Sequence, residues 1–221
     1  MKDIDWPEPV NWWRYPDKPI SATPAVLDRL ERSGLYFAQC KYDGWRAVCE
    51  IVQRGGDVRV RLFSHSKLEH PASHWLREAI ARASAWPEGT TVLDGEWMGR
   101  RGAYGEAYAA FDAWCFGGDD LTELPAAQRA AWVHGAMDTS EAVFALANHW
   151  NGFRRLFEHS RRVAHLEGIV LKRADSVLKP SPRGTQKTSD WIKVKYRNVD
   201  GTAALGAEAQ RPRRAVKVKG R

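Results

Sequence analysis

Strand-length apolar runs with charged residues at their ends constrain this chain most. "LYFAQCKYDGWRAVCEIVQ" (35–53) carries two β-like runs flanking Lys41, and "DVRVRLFS" (57–64) alternates like a half-buried strand. "TTVLDGEWMG" (90–99) reads as a strand ending in Asp-Gly-Glu, and "AYAAFDAWCF" (107–116) is another mostly apolar run. "LEGIVLKRA" (166–174) and "DWIKVKYR" (190–197) are the last two strand candidates. Side chains alternate with period two along a strand, so Lys193 and Lys195 share a face.

Helices are expected between these runs, which makes the class α+β. "PAVLDRLERSG" (24–34) reads as a short helix with Pro24 at its start and Gly34 as its stop. In "PASHWLREAIARASAW" (71–86), Trp75, Leu76, Ala79, Ile80 and Ala83 fall on one helical face. Residues 125–163 read as helical throughout, with short breaks. Residues 1–24, rich in Pro and Trp, are expected to wrap a domain surface, and "LKPSPRGTQKTS" is a polar loop before the last strand.

A length of 221 residues, 43% hydrophobic and 28% charged, fits a soluble globular protein of one large or two small domains. The formal charge of +7 favours a polyanionic partner, and some of the eleven tryptophans could stack on bases. Three cysteines without a Cys-x-x-Cys pair argue against a disulfide framework or a structural zinc site. With no signal peptide and no apolar stretch near the ~20 residues of a membrane span, the expected location is cytoplasmic, or nuclear in a eukaryotic host. The closing segment "RPRRAVKVKGR" (211–221), with Arg211, Arg213 and Arg214, suits phosphate contact.

Alone, Asp43-Gly44 marks only a turn. Five stretches occurring in order say more: "KYDGWR", "LDGEW", "AFDAW", "EGIVLK" and "WIKVK". Together they resemble motifs I, III, IIIa, IV and V of the ATP-dependent DNA ligases, in the covalent nucleotidyltransferase superfamily, over roughly residues 20–200. The resemblance implies an ATP-grasp-like adenylation domain, with two antiparallel sheets and flanking helices around an ATP cleft.

It also implies roles. Lys41 attacks the α-phosphate of ATP to form lysyl-AMP. A lysine is nucleophilic only when neutral, and neighbouring cations such as Lys193 and Lys195 lower its pKa. Those two lysines are also expected to neutralise the α-phosphate. Arg46 is expected to bind the ribose or phosphate, and Glu167 to hold Mg²⁺ (or Mn²⁺). Glu96 is assigned to the metal or the ribose. Phe111 is expected to stack on adenine, with Ile169 or Leu171 on the opposite face of the base. Lys172 is a further phosphate-binding candidate, while Asp94 is expected to shape a turn.

The chain also departs from the family pattern. Gln39 stands where the ligases usually carry Glu, and its amide oxygen can still accept from the adenine amine. Where the ligases show Ser-Arg-x-Gly, this chain reads Ser64-His65-Ser66-Lys67. Ser64, His65 and Lys67 are therefore the DNA-contact candidates there. About two dozen residues follow Lys195, too few for the OB-fold domain that follows motif V in ligases. The expected organisation is an adenylation domain over 1–200 and a basic tail over 201–221, with a truncation, an OB domain from a partner chain, or a minimal enzyme all fitting.

The function implied is sealing of 5′-phosphate to 3′-hydroxyl nicks in duplex DNA by a monomer. An RNA ligase using the same intermediate, and a catalytically idle nucleic-acid-binding module, are the alternatives.

Overall fold

The structure, a computed structural model, describes residues 18–64, 66–99, 105–178 and 187–196. Its first sheet contains β1 (Lys18–Ser21), β2 (Tyr36–Tyr42), β9 (Leu166–Arg173) and β10 (Lys187–Lys195), in the order β1-β10-β9-β2. The second runs β4 (Asp57–Phe63), β3 (Trp45–Arg54), β5 (Gly89–Trp97), β6 (Tyr108–Phe116) and β7 (Asp119–Asp120). A further strand, β8 (Val143–Ala145), lies beside β6. Pairing is antiparallel except for β1 with β10 and β6 with β8, so the sheets are mixed rather than purely antiparallel.

Alternation along each strand builds the layers. In β10, Ile192 and Val194 enter a core with Ile169 and Leu171 of β9, covered by α1 (Leu27–Arg32) and α4 (Phe153–Ser160). Trp191, on the other face of β10, packs instead against Val48, Val92 and Trp114 of the second sheet. The two sheets therefore face one another. The outer face of the second sheet is covered by α2 (His74–Arg82) and α3 (Ala126–Ala136), with Leu76, Ile80 and Val133 packed against Cys49, Ile51 and Leu62. Each aliphatic side chain buried this way contributes about 1.5–3 kcal/mol.

Three expectations are corrected. Residues 125–163 are not helical throughout: Ala142 to Leu146 run beside β6, and His149 bridges to Ala38. Sheet pairing there overrides local helix preference. Trp75 does not share the buried face of α2, being 54% exposed while Leu76 and Ile80 are fully buried. Lys187–Ser189, assigned to the polar loop, already belong to β10. The Pro/Trp-rich segment up to residue 17 and the basic tail lie outside the described residues.

Candidate active site

Between the sheets lies a cavity of about 420 Å³. Gln39 and Lys41 of β2, Arg46 of β3, Glu96 of β5 and Phe111 of β6 line it, together with Glu167 and Lys172 of β9 and Lys193 and Lys195 of β10. A larger hollow of about 780 Å³ lies beside Phe116 and Trp132, but among the described residues lining it only Asp138 is ionisable. The lysines, Arg46, Glu96 and Glu167 of the motif stretches are gathered in the smaller cavity.

Two β-bulges aim side chains into this space. Lys41 pairs with Gly168 and Tyr42 with Leu166, leaving Glu167 as the extra residue of β9. Asp94 pairs with Asp112 and Gly95 with Ala110, leaving Phe111 as the extra residue of β6. A bulge bends its strand and re-aims one side chain. Gly168 makes the first bulge possible: its φ is +144°, and a Cβ there would stand 2.1 Å from the Val194 carbonyl oxygen. Gly44 similarly admits Glu96, whose Oε1 accepts from the Gly44 amide at 3.1 Å.

Glu167 bridges two lysines, with Lys41 Nζ 2.5 Å from Oε1 and Lys195 Nζ 2.5 Å from Oε2. Burial opposes the Lys41 ammonium, but Glu96, Glu167 and Asp43 outweigh it and hold its pKa above the ordinary lysine value. This corrects the expectation of a Lys41 kept neutral by its lysine neighbours. Burial pushes Lys193 below the usual value, helped by Lys195 and Lys41. Burial would raise Glu167, but the two ammonium groups outweigh it and hold the carboxyl low. Glu96 is pushed up to about 7, chiefly by burial and against the pull of Lys41.

Other expected residues stand differently from their sequence-based assignments. Ile169 and Leu171 are fully buried among the residues under α1 and α4, and Val170 lines the cavity instead. Asp94 shapes no turn: it is buried within β5 and receives Arg46, whose Nε donates to Oδ1 at 2.9 Å. Arg46 is thus engaged with a carboxylate, its guanidinium 5.7 Å from the Phe111 ring centre. Lys172 is 2% exposed and donates to the Phe111 carbonyl at 2.7 Å. Its ammonium stands between the rings of Phe111 and Trp191, and burial pushes its pKa down to about 8. Gln39 donates to Asn148 Oδ1 at 2.7 Å and reaches the Phe111 carbonyl at 3.4 Å.

Ser64 and Lys67 lie outside the cavity, on the loop after β4. The Ser64 hydroxyl accepts from the Ser66 and Leu68 amides, and Lys67 has a φ of +60°. His65, Arg211, Arg213 and Arg214 fall outside the described residues. Sequence reasoning missed Trp191, Val170 and Asn148. Trp191 had a readable signal, because it shares the parity of Lys193 and Lys195.

The carboxylates can be tested against a divalent ion. Among the described residues no group of three His, Cys, Asp or Glu is placed to hold one. Glu167 and Glu96 fit Mg²⁺ on narrower terms, since that ion takes one or two carboxylates and completes its shell with phosphate and water oxygens. Among the described residues, no helix is long and apolar enough to cross a membrane.

Residues 101–195 match the family described as ATP dependent DNA ligase domain. In fold, the chain is similar to a mycobacterial DNA ligase D complexed with ATP (22% identity, TM-score 0.56), covering 84% of this chain and 62% of that one. It is also similar to the ATP-dependent DNA ligase of bacteriophage T7 in complex with ATP (16% identity, TM-score 0.54), covering 84% and 70%. A Lig E DNA ligase, described as binding DNA with a minimal scaffold, matches at 14% identity and TM-score 0.51, covering 81% and 68%. The chain therefore spans less than two thirds of the ligase D chain. A search of the curated proteins found no match.

Proposed function

We propose, for a chain whose residues 101–195 are of the ATP-dependent DNA ligase domain family, that residues 1–200 form an adenylation domain working through Lys41. The observation that carries this reading is the convergence of Lys41, Glu96, Glu167, Lys193 and Lys195 on one cavity. Its volume lies in the range of about 300–1,000 Å³ typical of small-ligand sites.

In this reading ATP enters with adenine against Phe111 and its phosphates towards Lys193 and Lys195. These two ammonium groups draw negative charge to the end of the cavity where Lys41 waits. Lys41 must lose a proton before it can act, and Glu167, its closest carboxylate, positions the amine. The neutral Nζ then attacks the α-phosphorus. A P–N bond forms, the bond to the bridging oxygen breaks, pyrophosphate leaves with the electron pair, and the two protons shed by Nζ, one before and one during attack, pass to water. Phosphoryl transfer asks mainly for positioning and charge neutralisation beyond the nucleophile, which these groups supply. A divalent ion held by Glu167 and Glu96 would neutralise phosphate charge when bound.

AMP then passes from Lys41 to the 5′-phosphate of a nick, and the 3′-hydroxyl displaces it, sealing the strand. The partner is nicked duplex DNA, with Ser64, His65, Lys67 and the basic tail at 201–221 as phosphate contacts. An OB-fold domain or DNA-binding partner acting in trans would complete the grip on the duplex.

The test is sealing of a pre-adenylated nick in duplex DNA, set beside pre-adenylated RNA ends. Sealing of DNA supports the reading, sealing of RNA alone moves the substrate to RNA, and sealing of neither contradicts it.

A further inference from the structure

Outside the five motifs, α3 presents a buried arginine to Asp112, the residue next to the cavity-lining Phe111. Arg129 has no exposed surface, and its guanidinium binds Asp112 two-pronged, Nε to Oδ1 at 2.9 Å and Nη2 to Oδ2 at 3.1 Å. Nη1 donates to the Leu124 carbonyl and stands 3.4 Å from that of Ser176. Asp112 is 1% exposed and follows the bulged Phe111 directly.

The bulge leaves the Phe111 carbonyl facing the first sheet, where Lys172 Nζ reaches it at 2.7 Å and Gln39 Nε2 at 3.4 Å. Lys172 has a competing partner, for its Nζ is only 4.0 Å from Asp112 Oδ2. A buried carboxylate without a cation is costly, so an unpaired Asp112 would draw Lys172 to itself. Arg129 meets that demand, and the Lys172 ammonium stays on the Phe111 carbonyl.

We infer that Arg129 is a positioning residue for nucleotide binding: by occupying Asp112 it keeps Lys172 pinning the Phe111 bulge, and so fixes the ring that faces the base. This rests on the proposal that the cavity takes ATP. Arg129 touches no reacting atom, so its loss acts on nucleotide affinity through geometry. The same logic sets the inference apart from a purely structural salt bridge. If the damage in an Arg129 variant is Lys172 swinging to Asp112, neutralising Asp112 as well should undo it. A purely structural pair would also recover stability in the double variant, but its loss would lower the melting temperature without weakening nucleotide binding by the folded chain.

The experiment is calorimetric titration of the full chain with α,β-methylene-ATP, which binds as ATP does but cannot release the adenylate. Wild type, Arg129→Met and the double variant Asp112→Asn/Arg129→Met are compared, each with its thermal melt. Arg129→Met should weaken binding about tenfold or more, within the range of coupling between residues in one network, and the double variant should return to within about threefold of wild type. If Arg129→Met does not fold, Arg129→Gln, which also removes the cation, carries the same comparison. Unchanged affinity in the folded single variant, or a double variant as weak as the single one, overturns the inference. A wild-type chain that fails to bind the analogue overturns the nucleotide reading itself.

Discussion

Lys41 Nζ lies 2.5 Å from Glu167 Oε1, so the lysine proposed as nucleophile is ion-paired with the carboxylate proposed to hold the metal. Lys195 takes the other oxygen of the same carboxylate at 2.5 Å. One side chain thus bridges two cations. The raised Lys41 pKa means that self-adenylation should accelerate as pH rises, since only the neutral amine attacks.

Glu167→Gln separates the two parts of that role. Removing the counter-ion should shift the alkaline midpoint of the pH–rate profile to lower pH, while losing the carboxylate lowers the maximum rate by about a hundredfold. A variant with the wild-type midpoint would contradict the pairing.

Glu96 makes stability depend on pH in an unusual direction. Its folded pKa of about 7 lies above the 4.5 of an unperturbed glutamate. Between those values the folded chain binds the extra proton, so the stability from this group is full below pH 4.5 and is lost as pH rises through 7. The shift corresponds to about 3 kcal/mol. Denaturant unfolding from pH 4.5 to 7.5 should show Glu96→Gln gaining stability relative to wild type towards the upper end. A parallel pH dependence in the two proteins would sink the assignment.

Gly168→Ala should be among the most damaging small substitutions in the chain. The new methyl would stand 2.1 Å from the Val194 carbonyl oxygen at a backbone φ of +144°. Relief requires moving β10 away, and a loss of about 3 kcal/mol or more is expected in equilibrium unfolding. A melt within a degree of wild type would show that the bulge is not needed.

Much of this site was legible. Four of the motif stretches fall on strands and the fifth spans the turn from β2 to β3, and Lys41, Arg46, Glu96, Glu167, Lys193 and Lys195 line one cavity. What escaped was register. Counting by twos from Glu167 puts Ile169 and Leu171 on the cavity face, and the bulge at Glu167 reverses that parity, bringing in Val170 and Lys172 instead. No residue type announces such a shift; it arises from the pairing of β2 with β9. Asp94-Gly95 misled in another way. The pair looks like a turn but lies within β5, because Gly95 leaves room for the Tyr108 ring, 2.4 Å from where a Cβ would be.

Lys67 occupies the place where the resembled ligases carry glycine, and it keeps a glycine-like φ of +60°. A left-handed conformation costs a side-chain-bearing residue about 1–2 kcal/mol. Lys67→Gly should therefore stabilise the fold by about 1 kcal/mol in denaturant titration while weakening DNA affinity at low salt, if Lys67 contacts phosphate. Stabilisation with unchanged affinity would remove Lys67 from the DNA surface.

The most direct test of Lys41 as nucleophile is covalent labelling with α-³²P-ATP and Mg²⁺. Wild type should acquire an acid-labile, base-stable adenylate, and Lys41→Ala should acquire none. Equal label on Lys41→Ala, or an unlabelled wild type that also fails to seal a pre-adenylated nick, would contradict the assignment.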